Sequence, residues 1–168
     1  MPFPAIAPLL LAGAAGLAAP AAAPAGVPSA ADAPPRYVDV YGYFTRDEQY
    51  EAWYRLTTQL RRDFDAICGD TFCEGDYSNI ESLRLRCSVE LATGRIGRCL
   101  WVFAGSNEDV DPDTGRIVVQ AHVWRCRLPL APRTTMDAFL TALSVPSPLH
   151  AALPGTATSI YDGLTDCL

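Results

Sequence analysis

Two cysteines in facing stretches constrain this chain more tightly than anything else in it. "SLRLRCSVE" and "IGRCLWVF" both alternate apolar and polar residues, and a short turn centred near Thr93 separates them. Leu83, Leu85, Cys87 and Val89 share one face of the first stretch, and Cys99, Trp101 and Phe103 share one face of the second. Joining those faces in an antiparallel hairpin sets Cys87 opposite Cys99, Leu85 opposite Trp101 and Leu83 opposite Phe103. A slip of one residue would turn Trp101 and Phe103 to the other side, so the alternation itself opposes it.

Four further cysteines complete an even set of six, all of them beyond residue 67. In an exported chain such a count reads as a disulfide framework. A Cys68–Cys73 bridge would close the turn that leaves the main helix, and Cys126–Cys167 would fasten the last helix to the third long strand. Six cysteines permit fifteen connectivities, and only Cys87–Cys99 has a register argument behind it.

Export is expected from the first residues. Residues 1–31 carry no charged side chain, and "AIAPLLLAGAAGLAA" has the length of a signal-peptide core followed by small residues suited to cleavage. The expected organisation is a signal peptide over 1–31, cut between 21 and 35, a linker over 32–36, and one α+β domain over 37–168. The segment departs from the usual signal in lacking Lys or Arg before its apolar core. Pro4, Pro8 and Pro20 interrupt it well short of the ~20 apolar residues a membrane span needs.

Within the domain, "RYVDVYGYF" alternates as a strand, with Val38, Val40 and Phe44 on one side. "TRDE" then offers a capping box in which Thr45 caps and Glu48 reaches back. Tyr50, Trp53, Tyr54, Thr57, Leu60, Phe64 and Ile67 follow at helical spacing, facing Glu48, Glu51, Arg55, Gln59 and Arg62 across the helix. Glu51 and Arg55 stand in the favourable order for an ion pair. Gly69 is placed to end the helix with a positive φ. After the hairpin, "DPDTG" supplies a turn and "IVVQAHVWRCRL" a third long strand. "TTMDAFLTAL", "SPLHAALPG" and "SIYDGLTDCL" then predict a helix, an irregular turn and a short last helix. The whole reads β–α–β–β–β–α–α: a small antiparallel meander of three to four strands packed against one long amphipathic helix, with short C-terminal helices and disulfide staples.

The stretch "CGDTFCEGDYSN", from Cys68 to Asn79, is the richest in reactive side chains. A redox dithiol is excluded by spacing, because four residues separate Cys68 from Cys73 and no C-x-x-C occurs in the chain. Zinc lacks paired ligands: neither His122 nor His150 has a partner at ligand spacing. A calcium loop beginning at Asp70 places Glu74, Gly75 and Glu81 at the fifth, sixth and twelfth positions but puts Phe72 where an oxygen is required. The Asp109, Asp111, Asp113 run has its glycine, Gly115, one place late. A hydrolase could draw on Asp70, Glu74, Asp76, Glu81 and His122, yet "AGSN" around Ser106 is no nucleophile elbow. The acids are read as turn formers, the cysteines as a staple, and no metal or cofactor is expected.

The net charge is −6, and all thirteen basic residues are arginines. That balance argues against nucleic acid as a partner. The absence of lysine excludes Schiff-base chemistry on a lysine side chain. The functional expectation is a small exported recognition module, binding or inhibitory, that acts in the cell envelope or outside on a protein or a cationic ligand. The alternatives are an envelope hydrolase using the acidic loop Asp70–Glu81 and a calcium-stabilised structural domain.

Overall fold

In the computed structural model, residues 34–168 are described. The expected signal peptide and the first two linker residues lie outside them. Strand β1 (Tyr37–Asp39) leads into a single turn of helix, α1 (Val40–Tyr43), and then the long helix α2 (Asp47–Thr71). Three strands follow, β2 (Glu81–Glu90), β3 (Ile96–Val110) and β4 (Ile117–Arg127). The chain closes with α3 (Met136–Ala142), a 3-10 turn at Pro148–His150 and α4 (Ile160–Thr165). The strands form one antiparallel sheet in the order β1-β2-β3-β4, so the fold is α+β. Among the described residues no helix is long and apolar enough to cross a membrane.

The hairpin register is the predicted one at its centre: Cys87 faces Cys99 and Leu85 faces Trp101. Leu83 does not face Phe103. A bulge between Ser82 and Arg84 sets Ser82 there instead and leaves Leu83 49% exposed. The buried Trp101 indole N–H needs an acceptor, and the bulge supplies one, since Trp101 Nε1 donates to Ser82 Oγ at 2.8 Å.

Three disulfides join Cys68 to Cys73, Cys87 to Cys99 and Cys126 to Cys167, with Cα separations of 5.0, 4.1 and 5.5 Å. They border one core. Phe64 of α2 lies 4.7 Å from Phe103 and 6.0 Å from Trp101, ring centre to ring centre. Met136, Phe139, Leu149, Leu153, Ile160 and Leu164 bring the C-terminal elements into the same cluster. α4 starts in a reciprocal capping box between Ser159 and Asp162.

Several local expectations give way. The first strand stops at Asp39, whose carboxylate accepts from the Tyr41 N–H and caps α1, so Val40 and Phe44 enter the core from a helical turn. The residue before α2 is Arg46, not Thr45, and the Thr45 N–H donates to the Gln49 side chain at 3.2 Å rather than to a Glu48 cap. The buried face of α2 is Trp53, Leu56, Leu60, Phe64 and Cys68, rotated from the predicted stripe, while Tyr54 is 69% exposed. α2 continues through Gly69 to Thr71, and the positive φ falls at Gly75. Disulfide closure explains the delay: the N–H groups of Phe72 and Cys73 both donate to the Cys68 carbonyl, which ends the helix without a glycine.

Candidate functional site

The acidic loop between α2 and β2 is a fastening. Asn79 Oδ1 accepts from the Ser106 N–H at 2.7 Å and Asn79 Nδ2 donates to Ser106 Oγ at 2.9 Å, tying the loop to β3 where β2 has not yet begun. Tyr77 packs edge-on against Trp124, 5.2 Å between centres, and the His122 ring lies 4.5 Å from Trp124. His122 is therefore an aromatic neighbour of Tyr77 and Trp124. Asp70 is in the last turn of α2, and Asp70, Glu74, Asp76 and Glu81 are all exposed to solvent. None of them lines any of the three grooves described below. Among the described residues no three His, Cys, Asp or Glu side chains converge as a metal site would require.

The second acidic run behaves as a turn. Asp111 Oδ1 accepts from the N–H groups of Asp113 and Thr114, and Gly115 takes the left-handed conformation at φ 67°. Those hydrogen bonds, from Thr114 first and then Asp113, hold the Asp111 carboxyl below its ordinary range.

Three grooves stand out on the described surface. One of 520 Å³ runs between α2 and the segment that follows α3. Leu56 and Leu143 form its floor, Tyr54, Arg55, Gln59 and Arg62 one wall, and Val145 and Pro146 the other. The walls come from residues some 90 positions apart in sequence, held together partly by the Leu149 N–H donating to Asp63 Oδ2. Among the described residues the sole ion pair is Arg86 with Asp39, at 2.7 Å, so the expected Glu51–Arg55 pair is not formed. Arg55 and Arg62 therefore stand in the groove without an acidic partner. A second groove of 370 Å³ separates α2 from β2, and a third of 340 Å³ lies on the sheet beside Arg86, Arg98 and Leu100.

Among the described residues the sheet is covered on one side only. Its inner face carries Leu85, Cys87, Cys99, Trp101, Phe103 and Cys126 into the core. Register places Arg84, Val102 and Arg125 in one row across the outer face, and Arg86, Leu100 and Arg127 in the next. Arg98 adds a fifth guanidinium. Further along, the β3–β4 hairpin runs out past the core as a two-stranded arm whose Val110, Ile117 and Val119 are 68, 69 and 59% exposed. The net charge of −6 conceals this concentration of positive charge on one surface. Neither a family model, nor a curated protein, nor a solved structure matches the chain.

Proposed function

We propose that the protein is an exported recognition module that binds a partner protein through the groove between α2 and the segment after α3. The observation that carries this reading is the groove's make-up: a leucine floor, an exposed tyrosine and two arginines without acidic partners on the described surface. Tyrosine and arginine are the residue types that dominate protein interfaces, because each couples a broad apolar or planar surface to a hydrogen-bonding tip. A concave apolar floor with few polar groups at its rim is the usual form of a binding site. Arg55 and Arg62 favour a segment bearing carboxylates beside its apolar anchor, so an acidic protein segment replaces the cationic ligand as the expected occupant.

Export is supported by the three disulfides, since such bonds persist in oxidising compartments.

Site-specific photo-crosslinking in the native host tests the proposal. A photoreactive residue at Tyr54 or Val145 should yield the same discrete adduct, and Arg62→Glu should abolish it. The probe at Ala66, exposed elsewhere on α2, should not form it. Equal labelling from all three positions would sink the assignment.

A further inference from the structure

Beyond the groove, the outer sheet face has an order along the strands that no single partner class explains as well as a second copy of this chain. Its near end holds the two arginine rows, Arg86–Leu100–Arg127 and Arg84–Val102–Arg125. Its centre is built of small side chains, with Ala104 opposite Val123 and Ser106 opposite Ala121, and the Ser106 hydroxyl is taken up by Asn79 and Glu108. Its far end pairs Glu108 with Val119 and Val110 with Ile117, and the turn beyond carries Asp111 and Asp113. One end is net basic, with Asp39 pairing one of its five arginines, and the other is net acidic, with Arg116 among the turn's carboxylates.

We infer that the protein forms a two-fold homodimer through these outer faces. Two sheets can face each other about an in-plane axis parallel to the strands or about one perpendicular to them. The parallel axis would lay the arginine rows of one copy on those of the other, which like-charge repulsion forbids. The perpendicular axis reverses one strip against the other. With the axis between the Ala104 and Ser106 rows, the partner's Glu108 lies on Val102 with Arg84 and Arg125 on either side of it, and Arg127 meets the partner's Val110–Ile117 row with Asp111 and Asp113 just beyond. Ala104 and Val123 then lie on the partner's Ser106 and Ala121. Such an interface is isologous, with a centre of small side chains and a charged rim.

The size suits a weak, salt-sensitive dimer. Six rows at ~6.7 Å spacing, three strands wide at the arginine rows and two strands wide along the arm, give a footprint of roughly 40 by 10 Å, at the low end of specific interfaces. Arg84, Arg98, Arg125 and Arg127 have no ion-pair partner among the described residues, so their charges are free to pair across the interface. The groove lies on the helical side of the sheet, so dimerisation leaves both grooves open and makes the module bivalent.

Sedimentation velocity on the purified protein, at low and high salt, tests this. A dimer is expected at micromolar concentration, weakening as salt rises. Glu108→Arg and Arg125→Glu should each weaken it by about tenfold or more, and the double exchange should restore it to within about threefold of the parent. Val119→Arg, which sets a second guanidinium on the partner's Arg125, should give a monomer with unchanged far-ultraviolet circular dichroism. A protein monomeric at every concentration overturns the inference, including one whose arginine rows instead bind heparin. So does a dimer indifferent to the charge exchanges, which would point to pairing through the free edge of β4. None of these results bears on the crosslinks from Tyr54, so the groove assignment stands or falls separately.

Discussion

Arg61 reaches from α2 to the bulge in β2, where its guanidinium donates to the carbonyls of Ser82 and Leu83 at 3.2 and 3.1 Å. β1 pairs only with Ser88, Val89 and Glu90, so among the described residues the rest of β2 is an open sheet edge. Arg61 occupies two acceptors of that edge and holds the bulge that gives Trp101 its acceptor. Arg61→Ala should cost about 1 kcal/mol, below the usual range for hydrogen bonds from a charged donor because the side chain is exposed. Arg61→Lys should recover part of it. Urea denaturation measures both, and an alanine variant as stable as the parent would remove Arg61 from the account.

The three disulfides should differ in worth in the order of the loops they close. Cys126–Cys167 spans 41 residues, Cys87–Cys99 spans 12 and Cys68–Cys73 spans 5. The chain-entropy relation gives about 4, 3 and 2 kcal/mol respectively. Paired Cys→Ala variants of each bridge, compared by denaturant unfolding, should follow that order. A reversed order would show that packing at the buried sulfurs outweighs loop closure.

Acid should weaken the start of α4. Hydrogen bonds from the Ser159 N–H, at 2.7 Å, and the Ser159 hydroxyl, at 2.9 Å, hold the Asp162 carboxyl below its ordinary value of 3.8. A carboxylate whose pKa is lowered on folding contributes stability that is complete above 3.8 and is lost as pH falls through the lower folded value. Asp162→Asn should therefore lower the melting temperature at neutral pH and have a smaller effect below about pH 3. A constant difference across the whole range would contradict this role.

Gly94 should resist substitution for two separable reasons. It sits at φ 68°, a conformation costing a residue with Cβ about 1–2 kcal/mol, and an added Cβ would collide with the Tyr43 hydroxyl. Gly94→Ala should destabilise by more than the φ term alone, and adding Tyr43→Phe should recover only the steric part. Equal stability of the single and double variants would show that Tyr43 simply moves aside.

Local pattern in the sequence determined the elements and much of their pairing. The alternation around Cys87 and Cys99 specified a register because a one-residue slip inverts every side chain. "DPDTG" specified its turn because Asp111 can bond N–H groups two and three residues on, and Gly115 can take a positive φ. Tertiary structure decided what depends on a distant partner. Leu83 leaves the core because Trp101, on another strand, needs Ser82 there. The buried stripe of α2 turns to include Leu56, and the helix passes Gly69, because the sheet, the C-terminal elements and the Cys68–Cys73 bridge set its orientation and its end. The groove joins walls from α2 and the segment after α3, and the arginine rows join three strands. Alternation assigns Arg84, Arg86, Arg125 and Arg127 to a common face, but only the packing of helices on the opposite face leaves them in solvent.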